Sequence, residues 1–329
     1  MAKKKSTTDN AAPEVETPSG EQPTNPRGSD SQSPPKAPFY ELFALSPENA
    51  TQQVIKDVAS RQIVSILEES PISAGYNVLF LYDENSITRG DSNRIYESLS
   101  KADAEKPILL IISSPGGEIP AAYFIAKLCR DATKHELHVS VPRQAKSAAT
   151  LICCGADKIH MGSLSELGPI DPQIRRMPAL AVKHSVEHLA QLAAQYPGAR
   201  DMLSDYLTKS LPIETLGYYE RAAESAVQYA ERLLSARIAV RSSKEANAEI
   251  AKRLVYFYKD HGFAIDAAEA TTIFGATVIQ RNTGEYLLSN RLYSSLDLMS
   301  WILRDRFKKV LSVAGNCSDG IWTYSAQTG

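Results

Sequence analysis

Between Asn77 and Met161 short apolar runs alternate with amphipathic stretches, a pattern that few folds accept. Strands are predicted at Asn77 to Tyr82 (NVLFLY), Pro107 to Ile112, Leu137 to Val141 and Lys158 to Met161. Between them, helices are predicted at Arg89 to Ser100, Pro120 to Ala132 and Ser147 to Gly155. Strands joined by helix-length crossovers cannot pair as hairpins; they lie parallel, with helices covering the sheet. The expected class is α/β, built from repeated βαβ units, and its chemistry belongs at the carboxyl ends of the strands.

The flanks are simpler. Met1 to Pro38 is rich in Pro, Ser, Thr, Glu and Asn and holds no aromatic residue, no Leu and no Ile. It cannot bury enough apolar area to offset chain entropy, so a disordered tail is expected over 1–38, with one domain over 39–329. Asn49 to Glu69 carries Val54, Ile55, Val58, Ile63, Ile66 and Leu67 at near-helical spacing. Residues 178–258 turn almost wholly helical, with breaks at Tyr196-Pro197-Gly198 and Leu211-Pro212, and are expected to form a helical insertion. A helix from Ile265, a strand at Ala276 to Gln280 and a helix around Leu296 to Leu311 are expected to close the chain.

Composition narrows the function classes. A net charge of −2 provides no field for a nucleic-acid backbone, and no apolar tract reaches the ~18 residues of a membrane span. After MAKKKSTT come Asp9, Asn10, Pro13, Glu14 and Glu16 where a signal peptide needs an apolar region. Four cysteines without Cys-x-x-Cys spacing fit reduced, buried thiols. A cytoplasmic location, with no nucleic-acid partner and no membrane span, is the expectation.

Two turns carry chemistry. Ser113-Ser114-Pro115-Gly116-Gly117-Glu118 follows a strand and precedes a helix that has Pro120 in its first turn. Glycines there let the backbone present bare N–H donors, which suits an anion or oxyanion site, although a tight turn without a ligand is the commoner meaning. Pro142-Arg143-Gln144-Ala145-Lys146-Ser147-Ala148-Ala149-Thr150 repeats the strand–turn–helix arrangement, with Ser147 among small residues. A helix-capping serine is the ordinary reading. Two such turns on successive crossover units bring Gly117 and Ser147 to one sheet edge, and a nucleophile facing an oxyanion hole explains both.

At these residues the chain resembles the Clp protease/crotonase superfold, and within it the Clp-like serine proteases of the serine dehydrogenase proteinase family. The matching segments are IISSPGGEIPAAYFIA, VPRQAKSAATLICCGADKIHMGSLSELGPIDPQI and, more loosely, KDHGFAIDAAEATTIFGA. The resemblance implies a Clp protease/crotonase-like parallel sheet and a serine peptidase acting on peptides or proteins. It places the nucleophile at Ser147 and the oxyanion hole at the Gly117 and Ala148 amides. By fold analogy it implies a homo-oligomer, and it implies no cofactor.

Where Clp peptidases carry their histidine this chain has Asp171, between Ile170 and Pro172; where they carry their aspartate it has His261. Chain order does not constrain a triad, so His261 as base and Asp171 as orienter is allowed. A Ser-Lys dyad through Lys183 is the rival; Lys146, adjacent to Ser147, would point away from it. His184 and His188 share a helix face, but no third ligand accompanies them, and no metal is expected. Crotonase-like chemistry on acyl-CoA and an inactive protease-fold scaffold complete the alternatives.

Overall fold

A computed structural model describes residues 37–174, 177–210, 213–239 and 243–326. The expected tail therefore lies outside the described residues, except for its last two positions. In chain order the elements are α1 (Glu41–Ala44), α2 (Gln52–Glu68), β1 (Asn77–Tyr82), α3 (Arg89–Leu99), β2 (Ile108–Ser113), α4 (Ile119–Asp131), β3 (Leu137–Val141) and β4 (Gln144–Ala145). There follow α5 (Ala148–Cys154), β5 (Lys158–Met161), β6 (Glu166–Leu167), β7 (Gln173–Ile174), β8 (Met177–Pro178), α6 (Ala179–Gln195), α7 (Arg200–Ser210) and α8 (Ile213–Ser235). The chain closes with α9 (Lys244–Lys252), β9 (Ile265–Asp266), α10 (Ala267–Phe274), β10 (Ile279–Arg281), α11 (Gly284–Phe307), β11 (Lys309–Gly315) and β12 (Ile321–Ser325).

One sheet in the order β10-β5-β3-β2-β1-β11-β12 organises the fold. Its first five strands are parallel, as crossover connections require, and β11 and β12 extend it antiparallel. Every residue of β2 is buried. Ile108, Leu110 and Ile112 enter a core shared with α4, α5 and α8, while Leu109 and Ile111 enter a second core shared with α2 and α11. That division is the period-two geometry of a strand covered on both faces, and it explains why ILLII reads as a continuous apolar run.

The helices begin where local chemistry allows. Thr88 and Asp91 form a capping box on α3, the Thr88 N–H donating to Asp91 Oδ2 at 2.7 Å. Asp266 caps α10 through the Ala268 and Glu269 amides, so that helix starts slightly later than expected. The C-terminal expectation fails more clearly. The last helix starts at Gly284 and stops at Lys308, whose φ of 53° is left-handed, so Lys309 to Leu311 is strand and not helix. Two strands were thereby missed: β11 is apolar on both faces, and so short an apolar run has no period to separate strand from helix. Among the described residues no helix is long and apolar enough to cross a membrane.

All four cysteines are free, and burial pushes the Cys129 and Cys154 thiols up to about 12, which leaves them inert. A different buried group ties the parallel sheet to the helical segment. Asp157, with no exposed surface, accepts from Arg130 at 2.6 Å, Leu137 N at 2.9 Å, Ile238 N at 2.8 Å and Ala239 N at 2.9 Å. Asp157→Ala would strand a largely buried guanidinium and three amides. The expected loss is about 3–5 kcal/mol, read as a lower urea midpoint.

Candidate active site

The Gly-rich loop is fastened on both of its edges. On one side Ser114 N donates to Gln144 O at 3.0 Å and Lys146 N donates to Ser114 O at 3.0 Å, which extends β2 onto β4. On the other, Ile87 N donates to Gly116 O at 2.7 Å and Glu118 N donates to Ile87 O at 2.8 Å. Gly116 and Gly117 have φ of 112° and 153°, and both are crowded. A Cβ on Gly116 would lie 2.9 Å from that of Ser147; one on Gly117 would lie 2.3 Å from both the N and O of Ile87. Only glycine fits either position.

This stitching presses the loop against the turn that carries Ser147. Ser147 has φ 49° and ψ −113°, outside the regions that serine ordinarily occupies. It stands at the cap position of α5, yet its hydroxyl makes no capping hydrogen bond, so the ordinary explanation for a serine there does not apply. Among the described residues the N–H groups of Gly117 and Ala148 have no acceptor either. A strained serine and two unspent amides thus lie where two sheet strands end.

Asp171 reaches the same region on a loop held from below. Thr150, in α5, donates to Ala145 O at 2.6 Å or Gly168 O at 2.8 Å and accepts from Gly168 N at 3.1 Å. Ile170 N donates to Leu254 O at 2.9 Å. Asp171 is buried, with Oδ2 3.5 Å from His261 Nδ1 and Oδ1 without a partner among the described residues. Gln173, which sequence reasoning did not single out, wedges its Nε2 between them, 3.2 Å from Asp171 Oδ2 and 3.1 Å from His261 Nδ1. His261 itself sits on the Asp260–Gly262 turn, where Gly262 N donates to Asp260 Oδ1 at 2.9 Å.

A cavity of about 770 Å³ collects these groups: Gly116, Gly117, Ser147, Pro172, Gln173 and His261 line it. Tyr218 and Ala222 of α8 supply the facing wall, so the helical segment takes part in the site. Lys146 points elsewhere, bonding Glu166 at 3.0 Å and Phe263 O at 3.2 Å, which holds the chain just after His261 to β6. The backbone of Lys183 belongs to α6; its side chain lies outside the described residues. His184 and His188 join no three-donor cluster among the described residues. Away from the cavity, His138 and His160 stack 5.1 Å apart beside Glu285, and burial pushes His160 down to about 4.

The site thus combines a mostly parallel α/β sheet with a serine turn packed on a glycine loop. Residues 49–195 match the family described as ClpP-like SDH-type serine proteinase. That stretch contains Gly117, Ser147, Ala148 and Asp171, while His261 lies beyond it. The uncharacterized protein MJ0137 of Methanocaldococcus jannaschii is 45% identical over 101 residues, 31% of this chain and 35% of its own length. A second protein of that organism, uncharacterized protein MJ1495, is 36% identical over 96 residues, 29% of this chain and 32% of its own. The chain therefore spans about a third of the length of these curated relatives. Among solved structures, a serine-to-alanine mutant of the 1510-N membrane-bound stomatin-specific protease aligns over 65% of this chain and 84% of its own, with 16% identity and a TM-score of 0.41. A lysine-to-alanine mutant of the same protease, in complex with a substrate peptide, gives 65%, 80%, 16% and 0.40.

Proposed function

We propose that the protein is a serine endopeptidase that hydrolyses peptide bonds through an acyl-enzyme. One observation carries the reading: Ser147, strained and free of any capping bond, shares a cavity with His261 and lies beside two amides that have no acceptor among the described residues. A serine that only capped a helix would spend its hydroxyl on that helix.

In the proposed reaction Ser147 Oγ bonds to the scissile carbonyl carbon while His261 Nε2 takes the hydroxyl proton. The carbonyl oxygen, now an oxyanion, accepts from the Gly117 and Ala148 N–H groups. The C–N bond then breaks, the leaving amine takes the proton from His261, and water repeats the sequence on the ester. For Nε2 to act as base, Nδ1 must carry the proton and donate it to Asp171. In the present arrangement the Gln173 amide occupies Nδ1, so Gln173 has to withdraw as Asp171 and His261 close their 3.5 Å gap. Catalytic hydrogen bonds of this kind commonly tighten once substrate is bound.

The family match over residues 49–195 supports the serine chemistry. The base is tested by kinetics on an unfolded protein substrate. His261→Gln is expected to lower turnover about 10²–10⁴-fold and Lys183→Met to leave it nearly unchanged. The opposite pattern assigns the base to Lys183.

A further inference from the structure

Three side chains outside the active-site cavity converge from β3, β5 and α11: His138, His160 and Glu285, each offering a ligand atom within 4.8 Å of the others. His138 Nδ1 lies 2.9 Å from His160 Nε2. Two nitrogens so close share one proton. In the arrangement that satisfies every partner, Thr283 Oγ1 donates to His160 Nδ1, His160 Nε2 donates to His138 Nδ1, and His138 Nε2 donates to Glu136. We propose that this cluster binds a divalent transition-metal ion of the zinc type, which enters between the two imidazoles.

The first support is spacing. Imidazole nitrogens bound to one tetrahedral zinc lie about 3.3 Å apart, so the rings need to open by only a few tenths of an ångström. A second support is the outer shell. His138 keeps Nε2–H on Glu136 at 3.1 Å, and Tyr76 donates to Glu285 Oε1 at 2.9 Å, the kind of contacts that orient metal ligands. Proton balance costs nothing: the Nε2 proton of His160 moves to its Nδ1, and Thr283, 2.7 Å away, changes from donor to acceptor. Ser140, paired in register with His160 on the same sheet face, is fully buried with a hydroxyl that has no partner among the described residues. Access is open as well, because a cavity of about 480 Å³ is lined by Tyr76, His135, Glu136 and His138. It shares no lining residue with the Ser147 cavity. The ion would pin α11 to β3 and β5, a tie that sequence reading, which expects no metal, does not anticipate.

The test uses the full, tag-free chain, stripped with chelator, dialysed against zinc chloride and assayed for bound zinc. One zinc per chain is expected, with a higher melting temperature. Glu285→Gln, nearly isosteric, should weaken binding at least tenfold, and Glu136→Gln should weaken it about 10–100-fold. Cobalt(II) loaded into the wild type should give the visible absorption of a four-coordinate nitrogen–oxygen site. Zinc retained equally by wild type and Glu285→Gln, or no zinc retained by the wild type, overturns the proposal. So does a cobalt-loaded wild type without that absorption, whatever the variants do. Serine-directed labelling does not enter these readouts, so the metal site and the proposed peptidase activity stand or fall separately.

Discussion

Ser147→Ala is expected to abolish peptide hydrolysis, by at least about 10³-fold in kcat, while leaving the unfolding midpoint within error of the wild type. The two halves of this result have separate causes. The hydroxyl is the proposed attacking atom, so its removal ends acyl transfer. It makes no capping hydrogen bond to α5 and none to any other described residue, so the fold should lose little with it. Ser147→Gly sharpens the point. At φ 49° and ψ −113° a residue with a Cβ carries strain that glycine does not, so this variant should be equally inactive yet more stable by about 1 kcal/mol. Activity and stability would then move in opposite directions at one position, as expected where a strained residue is kept for its chemistry. A serine serving only the fold would show the reverse: activity preserved, or stability lost with the hydroxyl. Parallel kinetics and urea denaturation of the two variants decide.

Gly117→Ala carries the second large effect. Its Cβ would stand 2.3 Å from two backbone atoms of Ile87, which no rotamer change can relieve. The loop must shift, and with it the hydrogen bonds that hold Gly116 and Glu118 to Ile87. Overpacking of this kind costs about 1–3 kcal/mol. The greater expected loss is functional: the Gly117 amide, a proposed oxyanion donor, would be displaced, at a cost of about 10²–10³ in kcat. Gly198→Ala is the matched control, since a Cβ there meets nothing within 4 Å; stability and kcat should stay at wild-type values. If Gly117→Ala retained full activity, its amide would have no part in the reaction.

The parallel sheet was legible because β1 and β2 are apolar on both faces and the strand segments are separated by helix-length segments. β11 was not, although it is almost as fully buried: it follows a long helix without a turn signal, and only the left-handed Lys308 marks the boundary. In the candidate site, Gly116, Gly117 and Ser147 could be singled out because strand–turn–helix patterns surround them. Gln173 was hidden because its role depends on the distance between Asp171 and His261, which are far apart in the chain. Tyr218 lies in a helical stretch whose pattern does not say which face meets the cavity. The cluster of His138, His160 and Glu285 is assembled across β3, β5 and α11, and no local spacing could show it.

The most direct measurement is the site of covalent capture. The folded wild-type chain, treated with a fluorophosphonate and digested, should yield one adduct on the peptide containing Ser147, and the folded Ser147→Ala variant should yield none. An adduct on a different serine, or labelling that persists undiminished in Ser147→Ala, would contradict the assignment of Ser147 as the nucleophile.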